Sequence, residues 1–190
     1  MRQSYFCIAI LSFILFSGFV IPEKDKVLVY IFLGEQCVIS QNYSLQLKEL
    51  HQQFASENIE FSGYFPNPNT TAAKVSAFQE KYQIPFTLHI DHGQLKMNEF
   101  GVTVTPEVVV YQPLTRKIFY QGRIDNTYFE VGKRRRVTTN FELKEVLESI
   151  QNDRPVLTKR TEAVGCFITP IDPNFQGIPM CQPNIQVEKQ

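Results

Sequence analysis

Apolar positions run without a break from Val27 to Phe32, and Leu33 carries the run to Gly34. This string, "VLVYIFL", is rich in β-branched and aromatic side chains and predicts a strand buried on both faces, as in a parallel sheet. From Ser40 to Ala55 the period changes: Tyr43, Leu47, Leu50 and Phe54 fall at i, i+4, i+7 and i+11, one stripe of a helix. "IEFSGYF" (59–65) predicts a second strand, and "PNPNT" breaks the chain after it. Val75, Phe78 and Tyr82 mark a second helix. "PFTLHID" (85–91) predicts a short strand, and "GQLKMNEFG" (93–101) a short helix with Gly101 as its C-cap.

Residues 107–111 and 117–121 then predict two strands joined by a tight turn, an antiparallel hairpin. Thr139 and Glu142 have the spacing of a capping box. It opens a last helix with Leu143, Val146, Leu147 and Ile150 inward. Beyond Pro155 the periodicity dissolves, so residues 153–190 are expected to be an irregular tail. Strands alternating with helices predict an α/β domain over 26–152, a central sheet with helices on both faces and an antiparallel hairpin at its end.

Residues 1–20 follow another pattern. Arg2 precedes the acid-free apolar run "YFCIAILSFILF", which resembles a secretory signal or an N-terminal anchor through residues 5–20. Export to a periplasmic or other extracytoplasmic compartment is the expectation, where disulfides persist. At 43% hydrophobic and 20% charged, the composition is globular. The zero formal charge gives no electrostatic reason to expect nucleic acid as partner. Without residues 1–20, the cysteines left are Cys37, Cys166 and Cys181. With an odd number, at least one is free or paired outside the chain.

Cys37 stands at a strand-to-helix junction. Unpaired N–H groups and the helix dipole stabilise a thiolate there, which makes the sulfur a nucleophile near neutral pH. A small buried hydrophobe is the competing reading of the same residue. Pro106, in "VTVTPE", stands at the mouth of a strand, a place that tolerates proline. A cis Thr105–Pro106 bond would mark a tight turn there.

Together these strings resemble the thioredoxin fold. More narrowly, they are similar to the redoxin branch of peroxiredoxin-like proteins and membrane-tethered thiol-disulfide oxidoreductases. The resemblance spans roughly residues 26–151. "VLVYIFLGEQCVIS" matches the active-site strand and helix, "FGVTVTPEVVVY" the cis-proline strand, and "RKIFYQGRID" the final strand. It implies Cys37 as nucleophile, with Thr105 and Pro106 offering backbone to an extended substrate or mixed disulfide. It implies a thiol or disulfide protein as partner, with a small peroxide as a weaker branch, and no organic cofactor. The alternative is a binding or scaffold protein that keeps the fold without catalysis, a metal carrier being its least supported form.

Three departures qualify the resemblance. "CVIS" puts Ser40 where Cys-x-x-Cys enzymes carry the second thiol, and a single thiol cannot release a mixed disulfide locally. Gly34 stands where peroxiredoxins place Thr or Ser. The N-terminal hairpin common in redoxins is missing. Cys166, in "AVGC", is a candidate resolving thiol, since the string is similar to one in a peroxiredoxin-like subgroup. A Cys166–Cys181 staple and no bond at all stay open beside it. Arg123 is a candidate thiolate stabiliser, against a pair with Asp125 or another acid. His89, Asp91 and His92 are expected to be strand-end residues and not a metal set, and the basic run 133–136 a solvated face.

Overall fold

The computed structural model describes residues 26–171. The signal-like segment, Cys7 and Cys181 lie outside them. The elements are β1 (Val27–Phe32), α1 (Val38–Asn42), α2 (Ser44–Phe54), β2 (Ile59–Phe65), α3 (Ala72–Tyr82) and β3 (Thr87–Ile90). A 3-10 turn at His92–Gln94 leads into α4 (Leu95–Phe100). Then come β4 (Val104–Thr105), β5 (Glu107–Gln112), β6 (Lys117–Gly122), β7 (Tyr128–Glu130), β8 (Lys133–Arg134), α5 (Glu142–Gln151) and β9 (Cys166–Phe167).

Five strands form the main sheet in the order β3-β2-β1-β5-β6. β1 pairs parallel with β2, and β2 with β3, while β5 and β6 add the antiparallel part. β1 is central, which explains its unbroken apolar run: both of its faces need cover. Val29, Ile31 and Leu33 enter one core with side chains from α1, α2, α3 and α5. Tyr30 and Phe32 enter a smaller core on the other face with Met97 and Phe100 of α4. Helices therefore cover both faces, as the strand–helix alternation predicts. Gly101 caps α4 in the left-handed conformation (φ 64°), also as expected.

The helix predicted from Ser40 starts earlier, at Val38, and is interrupted at Tyr43. There the Ser44 hydroxyl donates to the Gln41 carbonyl oxygen (2.7 Å), a local bond that competes with the helical ladder. The capping box does not form. Phe141 is the N-cap of α5 and makes no side-chain cap bond. Asn126 has taken the box's groups: its amide donates to Thr139 Oγ1 (2.7 Å), and its oxygen accepts from the N–H of Thr139 and Asn140. Glu142 is turned to Arg123.

Residues 159–171, which lack periodicity, lie against the domain as a strap. Thr161 N–H donates to Gln121 O, and Gln121 N–H to Lys159 O, both at 3.0 Å. Further on, β9 pairs antiparallel with β4, setting Thr105 opposite Cys166.

Candidate functional site

Leu33 N–H closes the end of β1 onto Tyr64 O (2.8 Å), and Cys37 N–H bonds back to Gly34 O (3.1 Å). This turn delivers Cys37 as the N-cap of α1, with extended backbone (φ −78°, ψ 110°). Its thiol donates to the carbonyl oxygen of Thr105 (3.1 Å), and the Thr105–Pro106 bond is cis. Gly34 permits this approach. A Cβ there would stand 2.9 Å from Thr105 Oγ1 and 3.0 Å from Cys37 Cβ. Thr105 itself is fully buried, and its hydroxyl has no hydrogen-bond partner among the described residues.

The strap completes the site. Gly122, at φ 150°, leaves room for Thr161, whose backbone would collide with any side chain at 122. Thr161 Oγ1 lies 2.6 Å from the Tyr120 hydroxyl. Gly165 lies on the Thr105–Pro106 peptide so closely that a Cβ would come within 2.0 Å of Thr105 O. Downstream, Ile168 N–H donates to Thr103 O (3.0 Å). The buried Gln94 donates to Thr169 O (2.7 Å) and accepts from Ile171 N–H (2.8 Å). Between these anchors Cys166 is held opposite Thr105 and lines the same cavity as Cys37.

The two thiols are electrostatically unequal. Burial pushes the Cys37 thiol up. The Cys166 thiol and the N–H and hydroxyl of Ser40 outweigh it and bring the group below its ordinary value. Cys166 moves the other way: burial and the neighbouring Cys37 push it up to about 12. Cys37 therefore ionises first and is held by its neighbour's S–H. No disulfide links the pair, and both are free thiols. Cys37 is only 3% exposed, while Cys166 is half-buried.

A cavity of about 380 Å³ opens beside the pair, lined by Cys37, Cys166, Glu35, Asn67, Lys74 and Phe167. Glu35 is fixed at its rim by Lys74 (3.5 Å) and by the Thr70 hydroxyl (3.0 Å). A larger recess of about 680 Å³ lies beyond the strap around Phe129 and Arg160, and neither thiol lines it.

Thus Cys37, Thr105, Pro106 and Cys166 come together, whereas Arg123 does not join them. Its guanidinium is engaged by the buried Glu142, with Nε 2.9 Å from Oε1 and a second contact from Nη2 to the same oxygen. This carboxylate partner holds Arg123 in place of a thiolate. Asp125 accepts instead from the Tyr43 hydroxyl (2.5 Å). His89 stacks on Tyr64, and Asp91 accepts from the N–H of Lys96 and Met97. Among the described residues no cluster of His, Cys, Asp or Glu is arranged to hold a metal ion.

Sequence reasoning missed two participants. Ser40 reads as an absent thiol, yet it stabilises the thiolate of Cys37. Its position three residues into a capped turn is the signal that could have found it. Gly165 reads as part of a string, yet its missing side chain is what lets Cys166 reach the site.

The AhpC/TSA family matches residues 17–139. Among solved structures, a hypothetical protein from Sinorhizobium meliloti is 20% identical with a TM-score of 0.67, covering 78% of this chain and 81% of its own. An uncharacterized conserved protein from Geobacillus kaustophilus gives 20% and 0.67, over 78% and 79%. MTB dsbF, solved in mixed oxidized and reduced forms, gives 18% and 0.50, over 66% and 81%. The fold is thioredoxin-like. No curated protein matches significantly.

Proposed function

We propose that this chain, which belongs to the AhpC/TSA family, works by thiol–disulfide exchange through a Cys37–Cys166 couple. One observation carries the reading: the Thr105 carbonyl oxygen that receives the Cys37 thiol belongs to the residue paired in register with Cys166. The strap supplies the second sulfur that "CVIS" lacks. In the reduced couple, Cys37 is the thiolate. It attacks a partner disulfide, forming one S–S bond and releasing one partner sulfur as thiolate. Cys166 then passes its proton to the released partner thiolate and attacks the Cys37 sulfur. The partner's second sulfur leaves, the partner is reduced, and the couple is oxidised. A dithiol protein resets it.

Thr105 and Pro106 present backbone to the partner. Thiol peroxidase action is the weaker branch, because Gly34 brings no hydroxyl to the place where peroxiredoxins carry one. Work outside the cytoplasm follows from the signal-like residues 1–20. The burial of Cys37 favours a second reading, a non-catalytic binding protein in which the thiol is structural. Iodoacetamide separates the two: ready labelling with a depressed apparent pKa supports exchange, and slow labelling with an unshifted one supports the structural thiol.

The direct test is peptide mapping of the oxidised protein under non-reducing conditions. A Cys37–Cys166 linked peptide is expected. A Cys166–Cys181 peptide as the sole linked pair overturns the couple.

A further inference from the structure

We infer that the β7–β8 ribbon is a docking surface for an anionic phospholipid bilayer. Phe129, Val131 and Val137 enter the headgroup layer, and Arg134 and Arg136 meet its phosphates. The inference goes beyond the exchange reading and does not rest on it, since no thiol takes part.

Residues 129–137 are exposed without interruption, and they carry two unlike kinds of side chain. Lys133, Arg134, Arg135 and Arg136 follow one another, against the single acid Glu130. The whole chain has zero formal charge, so this excess is local. Around the cations stand apolar side chains that the fold leaves in water. Val131 is 57% exposed and Val137 70%, and Phe129 is half-exposed.

Two of the cations are already engaged. Lys133 pairs with Glu130 across the ribbon's turn (2.7 Å). Arg135 ties the ribbon to the domain: its N–H donates to Thr127 O (2.7 Å) and its guanidinium to Asn126 O (2.6 Å). The same guanidinium lies over the Phe129 ring, 5.3 Å from its centroid. The Thr127 and Thr138 hydroxyls, 2.5 Å apart, close the base. The guanidinium groups of Arg134 and Arg136 have no ion-pair or hydrogen-bond partner among the described residues. The ribbon is thus a clamped projection with two unpaired cations and an apolar residue, Val131, at its turn.

Cations alone would suit a strand edge guarded against aggregation, a role that asks for no apolar neighbours. Nucleic acid would take the arginines on its phosphates but offers little to the aliphatic Val131 and Val137. A bilayer surface takes both kinds: its phosphates receive the guanidinium groups, and the boundary of its acyl chains receives the apolar side chains.

The chain has no tryptophan, so Phe129→Trp in the full chain is a fluorescent reporter without background. Phosphatidylglycerol vesicles should shift its emission to the blue and shield it from acrylamide, and phosphatidylcholine vesicles should do neither. Salt at about 1 M, where the Debye length is about 3 Å, should reverse both effects. That reversal separates the ribbon from residues 5–20, whose apolar insertion salt does not release. Arg134→Gln with Arg136→Gln should weaken the ribbon's binding constant about thirtyfold, since each cation near an anionic surface contributes about a factor of five. Val131→Asp should abolish the shift. All three of these side chains are exposed, so loss of folding does not enter. A reporter unmoved by phosphatidylglycerol overturns the inference, as does one that moves equally with phosphatidylcholine. So does a shift that survives the loss of both arginines, or a reporter that answers to DNA or polyglutamate and not to vesicles.

Discussion

The Cys37 thiol donates to the Thr105 carbonyl oxygen across 68 positions of sequence. The bond joins the start of α1 to the cis-proline turn. The same turn carries the strap on its other side, because Thr105 lies between Gly34 and Gly165, and a side chain at either glycine would collide with it. The Cys37 thiol is thus surrounded from three directions: the helix start, the turn and the strap.

Cys166→Ala should raise the apparent pKa of Cys37. In the intact chain the Cys166 S–H favours the Cys37 thiolate and so offsets burial, which acts the other way. Removing that donor leaves burial less opposed. Iodoacetamide labelling of Cys37 against pH should show a midpoint that lies at higher pH in the variant than in the parent. An unmoved midpoint would show that the two thiols do not interact.

Ser40→Ala should move the same midpoint upward, because the hydroxyl's contribution to the thiolate is lost while the backbone N–H remains. Labelling at neutral pH should slow. The variant also frees Gly34 N–H, which now donates to Ser40 Oγ (3.2 Å), so a modest loss of thermal stability should accompany the shift.

Gly34→Val should destabilise the fold by about 1–3 kcal/mol, the usual cost of overpacking a close contact. The added atoms meet Thr105 Oγ1 and Cys37 Cβ. Urea unfolding measures the cost, and the Cys37–Thr105 contact should be disturbed with it.

Arg123→Met should cost about 2 kcal/mol by leaving the buried Glu142 carboxylate without its cation, a value below that of fully buried pairs because Arg123 is partly exposed. The Cys37 midpoint should stay where it is. A shift in that midpoint would restore Arg123 to the thiol site.

Asn126→Ala should cost about 1–2 kcal/mol, in the range of a lost helix cap, because one side chain satisfies Thr139 and the N–H groups ahead of α5. The loss should appear as faster amide exchange at Thr139 and Asn140.

Local pattern alone determined the order of the main elements, the two-faced burial of β1, the hairpin of β5 and β6, and the placing of Cys37 and Pro106 at element boundaries. Those features depend on which neighbours along the chain are apolar, and periodicity reports that directly. Only the folded chain decided that Arg123 faces Glu142, that Asn126 displaces the expected capping box, and that residues 159–171 bind as a strap bringing Cys166 to Cys37. These outcomes turn on backbone hydrogen bonds between distant segments and on the room left at Gly34, Gly122 and Gly165. Hydrophobic patterning carries no record of either, because a main-chain pairing and an absent Cβ look alike in every stretch that has them.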